Sequence, residues 1–209
     1  MSRTLKSEPY NIDNIHIPSE QPLNWKIKKE TCALLIHDMQ RYFVQALPDK
    51  PAINLINSTA KILRWARNNR IPVFYSAQPG RMTLEQRGLL VDLWGPGMRT
   101  TEDDRRIIDE LFPSPEDVIL TKWRYSAFYQ SEFADRLRER QCDSLIITGI
   151  YASVGIQATS IDAFSHGIRP FIVADALADF TQAGHQNAVS YMADNCAQVL
   201  TSADVVDYE

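Results

Sequence analysis

Residues 32–38 read CALLIHD, five small or aliphatic side chains followed by a histidine and a carboxylate. An unbroken apolar run of this kind lacks the alternation of a half-exposed strand and marks a strand covered on both faces. Similar runs follow at 71–76 (IPVFYS), 117–121 (DVILT), 144–149 (SLIITG), 170–174 (PFIVA) and 197–200 (AQVL). Segments of helical spacing lie between them. Residues 52–70 set Ile53, Ile56, Ala60, Leu63 and Ala66 on one stripe, and further helices are expected near 102–111 and 130–140 and over 154–166 and 181–195. Strands alternating with helices of this length fold as α/β. The expectation is a single three-layer, Rossmann-like domain with a mostly parallel six-stranded sheet.

That domain is expected over residues 31–209. Residues 1–30, carrying Pro9, Pro18 and Pro22 without helical periodicity, read as an extended N-terminal arm lying over the domain or over a partner subunit. Residues 79–97, rich in Gly and Pro, read as a long loop containing a short helix, and loops this long inside a domain are usually functional. A chain of 209 residues suits one domain. Hydrophobic residues at 44% and charged residues at 23% are ordinary for a soluble globular protein. The net charge of −4 supplies no basic footprint for nucleic acid, so an anionic ligand needs locally placed Arg and Lys. No apolar stretch has the length of a signal-peptide core or a membrane span. Cys32, Cys142 and Cys196 are odd in number and lack C-x-x-C spacing. They read as buried thiols in a reducing, cytoplasmic setting, with neither disulfides nor zinc. His37, His166 and His185 do not stand at metal-ligand spacing, so no metal is expected. P-loop, dinucleotide and nucleophile-elbow motifs do not occur.

In parallel sheets, ligands bind beyond the carboxyl ends of the strands. The residues just past the apolar runs are His37 and Asp38, Ala77 and Gln78, Lys122, the turn at 149–155, and Asp175. An acid, an amide, a base and a Gly-bracketed turn therefore converge on one edge, which points to an enzyme. Each residue also has a blander reading. Asp38 is placed equally well to cap a turn or helix. Lys122 is harder to set aside, because lysine is rarely buried unpaired, and beside Asp38 it would form an acid–ammonium pair in a cleft. Around it, TKWRYSAF (121–128) crowds Trp123, Arg124, Tyr125 and Phe128, the make-up of a small-molecule pocket wall, although Phe128 reads as core. GIYASVG (149–155) joins a strand to a helix whose first amides can meet an anion. Gln78 and Arg87 flank the long loop and can hold carboxylates, Arg87 through a bidentate fork. A solvated surface position for Arg87 is the alternative.

These residues carry a resemblance. IHDMQRYF (36–43), AQPG (77–80), EQRGLL (85–90), WGPGM (94–98), KWRYSAF (122–128), GIYASVG (149–155) and VADALADF (173–180) resemble the isochorismatase family, in order and at matching spacing. The likeness covers about residues 30–205. It implies the isochorismatase-like hydrolase fold, no cofactor, a homodimer, and hydrolysis of the enolpyruvyl vinyl ether of a small anionic cyclohexadiene, releasing pyruvate. On that model Asp38 protonates the terminal methylene carbon, and Lys122 hydrogen-bonds Asp38 or a substrate oxygen. Gln78, Arg87, Tyr151 and the Gly155 amide hold the substrate's carboxylates and ether region. Trp94 and Tyr125 form walls, and Tyr42 and Ser153 are secondary contacts. Relatives commonly have His where this chain has Ser153, which bears on selectivity for the ring substituent.

Amidohydrolases of the wider superfamily use an Asp–Lys–Cys triad whose cysteine lies six residues after the glycine matching Gly149. Here that position is Gly155, which disfavours acyl-enzyme chemistry. Within the family the likeness is nearest to the phenazine-biosynthesis branch acting on 2-amino-2-deoxyisochorismate, with siderophore-pathway isochorismatases next. The sequence ends at Glu209, soon after the last strand, so no carrier domain is expected. An amidohydrolase and a catalytically silent binding relative are the remaining alternatives. A general acid must carry its proton, whereas a neighbouring ammonium favours the carboxylate. Turnover is therefore expected to fall as pH rises.

Overall fold

The computed structural model describes residues 5–98 and 102–207, so residues 1–4 of the expected arm and 208–209 of the expected domain lie outside the described residues. Strands β1 (Cys32–His37), β2 (Val73–Ala77), β3 (Val118–Thr121), β4 (Ser144–Ile150), β5 (Arg169–Ala178) and β6 (Gln198–Leu200) form one sheet in the order β3-β2-β1-β4-β5-β6. Every pairing is parallel, where a mostly parallel sheet was anticipated. All residues of β1 are buried. Cys32, Leu34 and Ile36 pack on one face with Leu55, Ile62 and Leu63 of α1 (Asp49–Asn68). Ala33 and Leu35 pack on the other face with Phe133 of α2 (Phe133–Glu139), Ala163 of α3 (Gln157–Ser165) and Met192 of α4 (Gln182–Asn195). Helices on both faces explain why the strand has no polar side in sequence. Among the described residues no helix is long and apolar enough to cross a membrane.

Several expectations need correction. The buried residues of α1 are Pro51, Ala52, Leu55, Thr59, Ile62, Leu63, Trp65 and Ala66, while Ile53 is 55% exposed. The true stripe contains a threonine, which an apolar count passes over. The helix expected near 102–111 stops at Arg105, and a 3-10 turn follows at Asp109–Leu111. The main chain between them pairs instead with 39–41. Arg41 N–H donates to Arg106 O and Ile108 N–H to Met39 O. Strand β5 runs on to Ala178 because its register against β4 shifts between Ile147 and Gly149. Asp175 consequently sits inside the strand rather than past its end. Its carboxylate accepts from Ser202 N–H and Ser202 Oγ at the start of α5 (Ser202–Val206), a helix not anticipated although Thr201 and Asp204 form a legible capping box. The long loop holds two short helices, Leu84–Arg87 and Leu90–Trp94, where one was expected.

The N-terminal segment lies over its own domain. Glu8 N–H donates to Phe180 O, Gln21 makes bonds in both directions with Val199, and His16 does the same with Gln186 of α4. Tyr10 is buried, accepts from Asp179 N–H and donates to His185 Nδ1 at 3.0 Å. Burial lowers the His185 pKa from 6.5 to about 4. The unfolded chain therefore takes up a proton through pH 6.5 that the folded chain refuses until about pH 4. Stability is full above that window and is lost as pH falls through it, at up to about 1.4 kcal/mol per pH unit. Urea unfolding between pH 7 and 4.5 is expected to show a steeper acid loss for the native protein than for His185→Gln. Equal losses would contradict this account.

Candidate active site

At the end of β1 the chain turns at Asp38 with φ +54°, a conformation uncommon for a non-glycine residue and costing on the order of 1–3 kcal/mol. Beside it, Gly149 has φ +114°, and a Cβ there would lie 2.1 Å from His37 O. The close approach of β4 to β1 leaves room for glycine alone. Asp38 and Lys122 are 6% and 3% exposed. Lys122 Nζ donates to Asp38 Oδ2 at 2.7 Å, and Ser76 Oγ donates to Asp38 Oδ1 at 2.6 Å. Parallel register sets His37 opposite Ser76 and Ala77 opposite Thr121, which brings all three groups together at the ends of β1, β2 and β3. Both carboxylate oxygens are thereby engaged, and neither ion is left unpaired in the interior.

Gln78 follows β2. The buried Gln40 side chain accepts from Gln78 N–H and donates to Gln78 O and to Arg105 O, which fixes the main chain there. Arg87 ends a short helix begun by a Thr83–Gln86 capping box. Its guanidinium is buried, with Nε donating to Gly95 O at 2.8 Å and Nη1 lying 3.4 Å from Gln78 Oε1. A Cβ on Gly97 would fall 2.4 Å from Arg87 Cζ, so the Gly97 main chain closes directly on the cation. Desolvation lowers the Arg87 pKa. Arg87 is only 5% exposed, so the solvated alternative does not hold, and among the described residues no carboxylate pairs with it.

Every residue to which the family resemblance assigned a role, except Ser153, lines one cavity, whose atom-free space including its mouth is about 580 Å³; Ala77, Trp123 and Asp175 do not line it. Tyr42, Trp94, Tyr125 and Tyr151 supply its aromatic walls, and Gly155 is part of its floor. Trp94 Nε1 donates to Tyr125 Oη at 2.8 Å. Tyr151 stacks on Phe180 at 4.0 Å between ring centres, and Phe180 stacks on Trp94 at 5.5 Å. The Tyr151 hydroxyl donates to Phe43 O, so Tyr151 offers its ring rather than a donor for a carboxylate. Ser153 is exposed and outside the cavity lining, with its N–H donating to Asp179 Oδ2. Position 153 follows the chain's turn away from the pocket, which sequence adjacency to Tyr151 does not reveal. Phe128 packs in the core against Phe133 and His166. Sequence reasoning gave no role to Ser76, Gln40 or Phe180. For Ser76 a signal existed, a hydroxyl at a strand end beside the acid.

An isochorismatase domain model matches residues 32–204. The chain belongs to the isochorismatase family. It is 50% identical over 182 residues to the phenazine biosynthesis protein PhzD of Pseudomonas fluorescens, covering 87% of this chain and 88% of that one. It is 37% identical over 203 residues to enterobactin synthase component B of Escherichia coli (strain K12), covering 96% of this chain and 71% of that one. Among solved structures it superposes on a cysteine hydrolase from Pseudomonas syringae pv. phaseolicola 1448A with a TM-score of 0.81, over 91% of this chain and 97% of that chain. The identity is 22%, so this likeness is one of fold. In this isochorismatase-family hydrolase all three cysteines are buried and none lines the cavity. Burial pushes Cys32 up to about 12 and Cys196 to about 11. Lys122→Met, which strands a buried carboxylate, is expected to cost about 3–5 kcal/mol at pH 7 in urea unfolding, and a loss under 1 kcal/mol would show the pair to be unimportant for the fold.

Proposed function

We propose that this protein hydrolyses the enolpyruvyl vinyl ether of an isochorismate-type substrate, 2-amino-2-deoxyisochorismate ahead of isochorismate, in phenazine-type secondary metabolism. The observation that carries the reading is a buried acid–ammonium pair facing, across one cavity, a buried guanidinium with no carboxylate partner among the described residues. Such a guanidinium suits an anionic ligand, and the aromatic walls suit an unsaturated ring. Identity to PhzD of Pseudomonas fluorescens exceeds that to enterobactin synthase component B, which supports the amino substrate.

Asp38 enters the reaction in its protonated form and gives that proton to the terminal methylene carbon, which becomes a methyl group and leaves an oxocarbenium ion at the ether carbon. Lys122 and Ser76 stabilise the carboxylate so formed, an interaction that strengthens as the proton departs. Water adds to the cation and returns a proton to Asp38. The hemiketal then breaks its bond to the ring oxygen, releasing pyruvate and the ring alcohol. The chemistry requires neither a thiol nor a metal. A coupled pyruvate assay is expected to show turnover. Asp38→Ala should lose roughly 10²–10⁴-fold or more in kcat, and iodoacetamide should leave activity intact. A fully active Asp38→Ala protein, or one silenced by alkylation, would overturn the mechanism. Comparing kcat/KM for isochorismate and its aminodeoxy analogue tests the substrate order.

A further inference from the structure

His37 has no part in the reaction above, yet it is fully buried directly beneath the cavity floor. Its Nδ1 lies 2.8 Å from Ile150 O at the end of β4, and its Nε2 lies 3.2 Å from Thr159 Oγ1 in α3. Ile150 O can only accept, so Nδ1 donates to it, and Nε2 shares a hydrogen bond with the Thr159 hydroxyl. Thr159 Oγ1 in turn accepts from Ala127 N–H. The ring thus ties together the strand before the 151–155 turn, the helix after it, and the segment that follows Lys122. Burial, opposed by Asp38 and by the Ile150 and Tyr125 carbonyls, lowers its pKa to about 4, so the ring is neutral near pH 7.

The second observation concerns the turn itself. A Cβ built on Gly155 would stand 2.4 Å from His37 Cε1, 3.1 Å from Nε2 and 3.2 Å from Nδ1. Gly155 carries no positive φ, so its backbone is one that any residue can adopt. The three atoms nearest to such a Cβ all belong to the imidazole. The ring is held by bonds at both nitrogens, is fully buried and lies 3.7 Å from Asp38 Oδ2, and cannot swing away cheaply.

We propose that His37 is a positioning residue of this site, which props the 151–155 turn from below and reserves position 155 for glycine. The space that a side chain at 155 needs is already filled, and the cavity floor there is bare main chain. A substrate can therefore lie against the Gly155 amide, and no side-chain nucleophile can be installed at that position while His37 remains. The activity readout rests on the ether-hydrolase reading, whereas the steric coupling does not.

The test is a double-mutant cycle with Gly155→Ala and His37→Asn, because asparagine retains a donor near the Nδ1 position and removes the Cε1–Nε2 edge. Gly155→Ala is expected to lower the thermal midpoint by roughly 4–10 °C and kcat/KM by about 100-fold or more, the scale of an ångström-sized displacement in a site. The double variant is expected to melt no lower than Gly155→Ala alone and to regain at least tenfold in kcat/KM. Additive midpoint losses, or a Gly155→Ala protein as stable as the native one, would show that the imidazole does not reserve the position. Restored stability without restored kcat/KM would show that the methyl group obstructs substrate itself, and would overturn the positioning role. If the native protein releases no pyruvate, the functional reading fails while the midpoint cycle still decides the coupling.

Discussion

The contact on which the site depends is the one between Lys122 and Asp38. The two residues follow β3 and β1, which are not neighbours, since β2 lies between them in the sheet. An ammonium can span that gap to meet a carboxylate at 2.7 Å only if all three strands end in register and the lysine stem runs over the strand between. Neither ion is tolerable alone at this depth, because a charge taken from water without a partner costs several kcal/mol. The pair therefore specifies the sheet edge as much as the sheet positions the pair. Ser76, from the intervening strand, completes the arrangement by binding the other carboxylate oxygen.

Around that pair the remaining parts divide the work. Arg87 is held by main-chain carbonyl and glycine contacts rather than by an acid, which leaves its charge available to a ligand. Gln40 spends three hydrogen bonds on main chain, two of them on Gln78, and so fixes the loop that presents Gln78 to the cavity. The stack of Trp94, Phe180 and Tyr151 makes a flat apolar wall on one side of the pocket.

Much of this was legible in the sequence. The unbroken apolar run at 32–37, read as a strand covered on both faces, was enough to demand helices above and below the sheet. The rule that ligands sit past the carboxyl ends of parallel strands then selected Asp38, Gln78, Lys122 and the turn at 149–155 from 209 residues. It misplaced Asp175, because a register shift against β4 lengthens β5, and a β-bulge leaves no mark in hydrophobic pattern. The expected stripe of α1 was right in Leu63 and Ala66 and close in Ile56 and Ala60, which pack partly against the core, but it took in the exposed Ile53 and passed over Thr59.

The sequence by itself determined the α/β alternation, the family membership and the chemical types gathered at one edge, because strand burial and strand-end position are local properties of composition and spacing. Only the tertiary structure decided which of those groups face one another. It turned Ser153 outward, occupied the Tyr151 hydroxyl with Phe43 O, and placed the His37 ring against Gly155. Those outcomes follow from contacts between residues more than a hundred positions apart in some cases, where distance is set by strand register and packing rather than by spacing along the chain.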